Sequence, residues 1–125
     1  MKVEVRDMFE PDGTRVQLFD ILNEIETNDL NWSILYFYGM GQAPDGLSMV
    51  TFEKMVRSDN TGYKMTWDEL LAFSKELELT IDCVIVAVKK GAEFDGLKLS
   101  QEDFSGCEFF IEAFDSTEWT IKKAE

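Results

Sequence analysis

Carboxylates alternate with aromatic rings in the segment CEFFIEAF, residues 107–114, and that mixture suits recognition of a basic protein surface. Read as a strand, the segment has one apolar face of Cys107, Phe109, Ile111 and Ala113, which is expected to pack into the core. Its other face carries Glu108, Phe110, Glu112 and Phe114. Two accounts of that second face stand side by side: an ordinary strand half covered by a helix, or a partner-binding face. In the latter the rings anchor a partner and the acids meet its cations. Asp115, Glu118 and Trp119 would extend the patch around the following turn. Residues 91–104 repeat the mixture with Glu93, Phe94, Asp95, Glu102, Asp103 and Phe104; there the phenylalanines either pin the loop to the sheet or enlarge the binding surface. Tyr36 and Tyr38 read as core residues with a hydroxyl at the edge.

Other chemistries find little support in the sequence. There is no histidine, so Ser–His–Asp and Cys–His nucleophilic machinery, the usual neutral-pH base and histidine-containing zinc sites are all excluded. Gly39-Met40-Gly41 is too short for a phosphate-binding loop and no Lys-Ser/Thr follows it. Asp59-Asn60-Thr61-Gly62 matches only a fragment of a calcium loop and reads as a turn. Paired carboxylates could perform acid–base work, but acids this numerous fall into pairs by chance. The expectation is a binding protein, not an enzyme, with no cofactor and no bound metal.

Charge agrees with that expectation. The chain has 25 acidic and 12 basic residues, a net charge of −13. Such a field repels nucleic-acid phosphates and anionic lipid and attracts basic partners. Residues 91–125 hold nine of the acids against three lysines, which makes this the acidic end. The apolar runs at 34–38 and 84–88 have strand length and cannot span a bilayer. The start, MKVEVRD, lacks the apolar stretch of a signal peptide, so a cytoplasmic location is expected. Cys83 and Cys107 then serve as small core hydrophobes in a reducing compartment.

The elements that must position these residues are readable from periodicity. With 125 residues, of which 45% are hydrophobic, the chain suits a single domain over 1–125. Val3 and Val5 alternate with charges, predicting a strand over 2–8. Thr14 and Gln17 form a capping-box pattern ahead of Leu18, Ile21, Leu22 and Ile25, predicting a helix over about 15–26. NWSILYFYG (31–39) predicts a buried strand. Residues 47–57 fit a helical face capped by Ser48, with a strand as the competing assignment. Thr66 and Glu69 form a second capping box, opening a helix to about Glu78 that buries Trp67, Leu70, Leu71, Phe73 and Leu77. IDCVIVAVK (81–89) reads as a central strand, 89–106 as a long loop, 107–114 as a strand and 118–123 as the last strand of a hairpin. The order β-α-β-α-α-β-β-β specifies an α+β fold, a mostly antiparallel sheet of about five strands with two or three helices packed on it.

IEAFDSTEWTI (111–121) and MTWDELLAFSKELELTIDCVIV (65–86) resemble segments of small immunity proteins of bacterial toxin–immunity systems, such as those beside contact-dependent growth inhibition toxins. The resemblance covers about half the chain. It implies tight binding to one cognate protein toxin, often a nuclease with a basic groove, and neutralisation of that toxin. On this view the binding residues are Glu108, Phe110, Glu112, Asp115, Glu118 and Trp119 at the C-terminal hairpin, joined by Glu93 and Asp95. Two alternatives share the acidity: a secretion chaperone, which would be expected to end in a helix, and a DNA mimic that inhibits a nucleic-acid-binding protein. The mimic needs carboxylates spaced like phosphates, whereas here they are interspersed with lysines and hydrophobic residues.

Overall fold

The alternation of apolar and polar residues in the strands decides which face of the sheet each side chain occupies, and one face is much the more hydrophobic. The computed structural model describes residues 1–125. In chain order the elements are β1 (Lys2–Asp7), α1 (Leu18–Leu22), β2 (Asn31–Gly41), α2 (Met49–Ser58), β3 (Tyr63–Met65), α3 (Trp67–Lys75), β4 (Leu77–Val88), α4 (Gly96–Ser100), β5 (Phe109–Phe114) and β6 (Glu118–Lys123), with a short 3-10 turn at Pro44–Gly46. The strands form one six-stranded sheet in the order β1-β6-β5-β4-β2-β3. Every neighbouring pair is antiparallel. The α+β expectation therefore holds, with one more strand than expected: the three-residue β3 pairs with the start of β2.

The register builds the core in cross-strand rows. Ile34, Ile85, Ile111 and Ile121 stand directly opposite one another across β2, β4, β5 and β6. Flanking rows alternate large and small side chains: Trp32–Ala87–Phe109 on one side, Phe37–Cys83–Ala113–Trp119 on the other. The small central residues leave room for helices. Leu18, Ile21 and Leu22 of α1, Phe52 and Val56 of α2, and Trp67, Leu70 and Phe73 of α3 fill it as part of one buried cluster. Trp32 packs against Trp67 and Phe109 with ring centroids 5.3 and 5.5 Å away. Phe37, Phe52 and Phe73 form a second aromatic group. Trp119 is fully buried, and its indole N–H donates to the Val16 carbonyl at 3.0 Å.

Several boundaries differ from expectation for local reasons. The first helix does not begin at Thr14. The Val16 and Glu10 amides donate to the Met8 and Thr14 carbonyls, so residues 14–16 fold back on 8–10 and the helix starts only at Leu18. Residues 49–58 are helical, and Ser48 Oγ accepts from the Thr51 amide as the N-cap. The capping box of Thr66 and Glu69 forms as expected. The helix it opens ends at Lys75, however, because Leu77 leaves it to pair with Gly41. Glycine is required there: a Cβ on Gly41 would lie 2.5 Å from the Glu76 carbonyl oxygen, and one on Gly39 2.5 Å from that of Leu79. The loop 89–106 contains the five-residue α4. No helix is long and apolar enough to cross a membrane.

On β5 the two faces predict opposite mutational behaviour. Ile111→Ala, in the central isoleucine row, should lower unfolding free energy by about 2–5 kcal/mol. Phe114→Ala, on the other face and 60% exposed, should change it by no more than about 0.5 kcal/mol. Urea denaturation of both variants checks the contrast.

Candidate functional site

The face of the sheet turned away from α1, α2 and α3 is divided into a covered and an open half. Three further cross-strand rows describe it. The first runs Ser33–Val86–Phe110–Lys122–Val3, the second Tyr36–Val84–Glu112–Thr120–Val5. The third begins with Tyr38 opposite Asp82; one more step of the β4–β5 register brings in Phe114, which stands opposite Glu118, itself opposite Asp7.

Residues 91–106 fold back over the first row. Val86, Val88, Cys107 and Phe110 form a small buried cluster there, with Phe94, Leu99 and Phe104 laid on it from the strap. Phe104 and Phe110 pack with centroids 4.6 Å apart, and the Lys122 ammonium sits 3.9 Å from the Phe104 ring centre. Phe94 and Phe104 thus pin the strap to the sheet.

The second row is only partly covered, with Val84 packed against that cluster, and the third lies open. Tyr36, Tyr38 and Phe114 are exposed there, and Met40 and Val5 border them. Among the rings stand Asp82, Glu112 and Glu118. Glu112 is half-buried, and no side-chain partner hydrogen-bonds or ion-pairs with it. Burial holds its carboxyl above the ordinary glutamate value of 4.5; Lys122 opposes the shift, while Asp82, Glu118 and Glu102 add to it. The patch is therefore an apolar aromatic surface around a partly desolvated carboxylate that has Lys122 nearby but no direct ion pair.

At one rim the β5–β6 turn holds Asp115 and Ser116 with φ of 46° and 55°, a left-handed pair suited to a tight hairpin but seldom adopted by residues other than glycine, asparagine or aspartate. The Asp115 amide donates to Asp82 Oδ1 at 2.7 Å, tying the turn to β4. That bond holds the Asp82 carboxylate at the edge of the patch, while Asp115 contributes its backbone and keeps its own side chain exposed on the turn.

Of the residues singled out from sequence, the structure brings Glu112, Asp115 and Glu118 together and places the rest elsewhere. Trp119 belongs to the core between sheet and helices, where no partner reaches it. Phe110 is 8% exposed because the strap covers it. Cys107 lies just before β5 and joins Phe110's cluster instead of the main core with Phe109, Ile111 and Ala113. Glu108 lies just before β5, beyond the strap from the open rows, with its carboxylate 3.7 Å from Lys89. Asp95 caps α4, accepting from the Leu97 amide at 2.9 Å. Glu93 is exposed beside Asn31 and Lys64 in a separate groove.

No family model, curated protein or solved structure matches the chain. The assignment of function rests on the geometry of the open rows. Tyr36, Tyr38 and Asp82 belong to them although sequence reasoning left them out. A β-bulge between Ile34 and Tyr36 reverses the alternation of β2, so Tyr36 and Tyr38 emerge opposite to Trp32 and Ile34.

The raised carboxyl of Glu112 has a definite consequence for stability. Its native form holds a proton more tightly than the unfolded chain does, so its contribution to stability is greatest at acid pH. That contribution is lost as pH rises from the unfolded value of about 4.5 through the native one. Glu112→Gln should therefore melt at a higher temperature than the parent at pH 7, with the difference closing below about pH 4. Thermal unfolding of both proteins across that range checks it; a difference independent of pH contradicts it.

Proposed function

We propose that the protein is an acidic binding module whose open sheet rows dock a basic protein, and that this partner is a cognate toxin. The observation that carries the binding reading is the combination of exposed Tyr38 and Phe114 with the partly desolvated, unpaired Glu112 on one sheet. Aromatic side chains on a strand lose little conformational freedom on binding and supply the buried area of an interface hot spot. The surrounding carboxylates of Asp82, Asp115 and Glu118 steer and orient a cationic partner, helped by the overall charge of −13. A partner arginine or lysine set against Glu112 would give that group the direct ion pair that Lys122 does not make. The same charge opposes a direct role with nucleic acid.

The toxin is the partner class implied by the likeness of residues 65–86 and 111–121 to immunity proteins. The substrate groove of a nuclease toxin is basic and would receive an acidic, ring-bearing face while excluding the nucleic acid. Because Trp119 and Phe110 serve the core and the strap, the interface includes β2 as well as the C-terminal hairpin.

Tagged protein used to capture its partner from the native host, with the captured protein then expressed alone and together with this chain, tests both parts of the proposal. A toxic basic protein made harmless by co-expression is the expected outcome. Tyr38→Ala and Phe114→Ala should each weaken the purified complex by about 2 kcal/mol while leaving the fold intact. Glu112→Lys should slow association and flatten its salt dependence. Undiminished binding by all three variants would overturn the face assignment, and unrelieved toxicity would overturn the partner class.

A further inference from the structure

The outer edge of β1 combines free backbone hydrogen-bonding groups with a groove for side chains. The Met8 amide donates to the Thr117 carbonyl, and Ala124 donates to Glu108 on the opposite side of β6. Since bonded pairs alternate along an antiparallel ladder, Lys2, Glu4 and Arg6 point their backbone groups inward to β6. The N–H and C=O groups of Val3, Val5 and Asp7 therefore face outward, and no strand pairs with them. The edge has no proline and no bulge, although four of its six residues, Lys2, Glu4, Arg6 and Asp7, are charged, so an added strand must match that pattern of charge. Val3 and Val5 are 58% and 59% exposed, which leaves their side chains as well as their amides available.

Beneath this edge, on the helix side of the sheet, lies a groove of about 690 Å³. Ile21, Ile25, Ile121 and Phe109 contribute its apolar lining, while Glu24 and Glu26 stand on the α1 side. Arg6 is committed to Glu4 and Glu24, with Nη2 2.7 Å from Glu4 Oε2 and 3.0 Å from Glu24 Oε1. On the opposite side of the sheet, Asp7 stands directly opposite Glu118, a pairing of like charges with no cation in ion-pair contact. Like charges directly opposed across strands are unfavourable, and a cation placed beside them relieves the repulsion.

The geometry points to β1 as a strand-addition site for an extended segment of a basic partner. Main-chain bonds to Val3, Val5 and Asp7 would supply affinity. Alternate apolar side chains of the segment would enter the groove, and a lysine or arginine on its other face would lie beside Asp7 and Glu118. A second copy of this chain is the wrong occupant, because two bodies of charge −13 repel. The inference rests on the open-face reading only for the basic character of the partner; β1 borders that face, so one partner can engage both.

Proline at position 5 removes an outward N–H without touching a bond to β6, and proline is tolerated on edge strands. An acetylated and amidated heptapeptide of alternating lysine and valine, titrated into the protein and followed by backbone NMR, is the direct probe. Shifted and exchange-protected amides at Val3, Val5 and Asp7 are expected. Val5→Pro should weaken binding about tenfold, whereas Val5→Thr, which keeps the N–H, and Val50→Ala, on the exposed side of α2, should not. Absence of protection along β1, or equal binding by Val5→Pro, overturns the inference. With the captured basic protein, loss of binding by Tyr38→Ala but not by Val5→Pro removes the edge and leaves the face. The reverse pattern removes the face and leaves the edge.

Discussion

The row of isoleucines at 34, 85, 111 and 121 locks four strands in one register, and that register determines what both faces of the sheet carry. Side chains alternate with a period of two, so a slip of one residue in β5 would carry Ile111 and Ala113 out of the core and bring Glu112 into it. Burial of a carboxylate among Ile85, Phe37 and Trp119 would be far costlier than loss of a few methylene contacts. The alternating large and small residues of the flanking rows reinforce the same alignment, since Trp32 and Phe109 fit together only across Ala87. Once the register is set, Glu112, Glu118 and Asp82 must share the opposite face with Tyr36, Tyr38 and Phe114.

That face is built unequally. Where hydrophobic residues dominate it, at Val86, Val88 and Phe110, the strap covers it with rings of its own. Where carboxylates intervene, covering it from within the chain would desolvate Asp82, Glu112 and Glu118 together with only Lys122 acting against them at Glu112. Partial coverage is the physical compromise. It leaves rings exposed that a monomer gains nothing by exposing, next to an acid already held partly out of water. A cationic partner of the kind proposed would resolve both conditions, burying the rings and adding a direct ion pair to the influence of Lys122.

The sequence showed the fold class through periodicity, and it showed the helix at 67 through Thr66 and Glu69, a signal complete within four residues. It was less transparent wherever the decision was made at a distance. The pairing of 14–16 with 8–10 overrode a capping pattern at Thr14. The bulge after Ile34 turned Tyr36 and Tyr38 outward, whereas unbroken alternation would have set them beside Trp32. The burial of Phe110 depended on a strap whose own sequence has no clear period. Trp119 was different: in EWTIKK it alternates with Glu118 and Thr120, so the pattern itself assigned it to the core face, and proximity to acids was the weaker guide. Glu112, Asp115 and Glu118 lie on or beside the open rows as the sequence placed them, because alternation and turn chemistry are local.

Hydroxyl-radical footprinting of the protein, alone and in complex with the basic protein it captures, tests the central claim that the open rows are the interaction surface. Tyr38, Met40 and Phe114 should be oxidised more slowly in the complex, while Met55, exposed on α2 on the other side of the sheet, should react at an unchanged rate. Protection of Met55, with Tyr38 and Phe114 reacting as in the free protein, would contradict it.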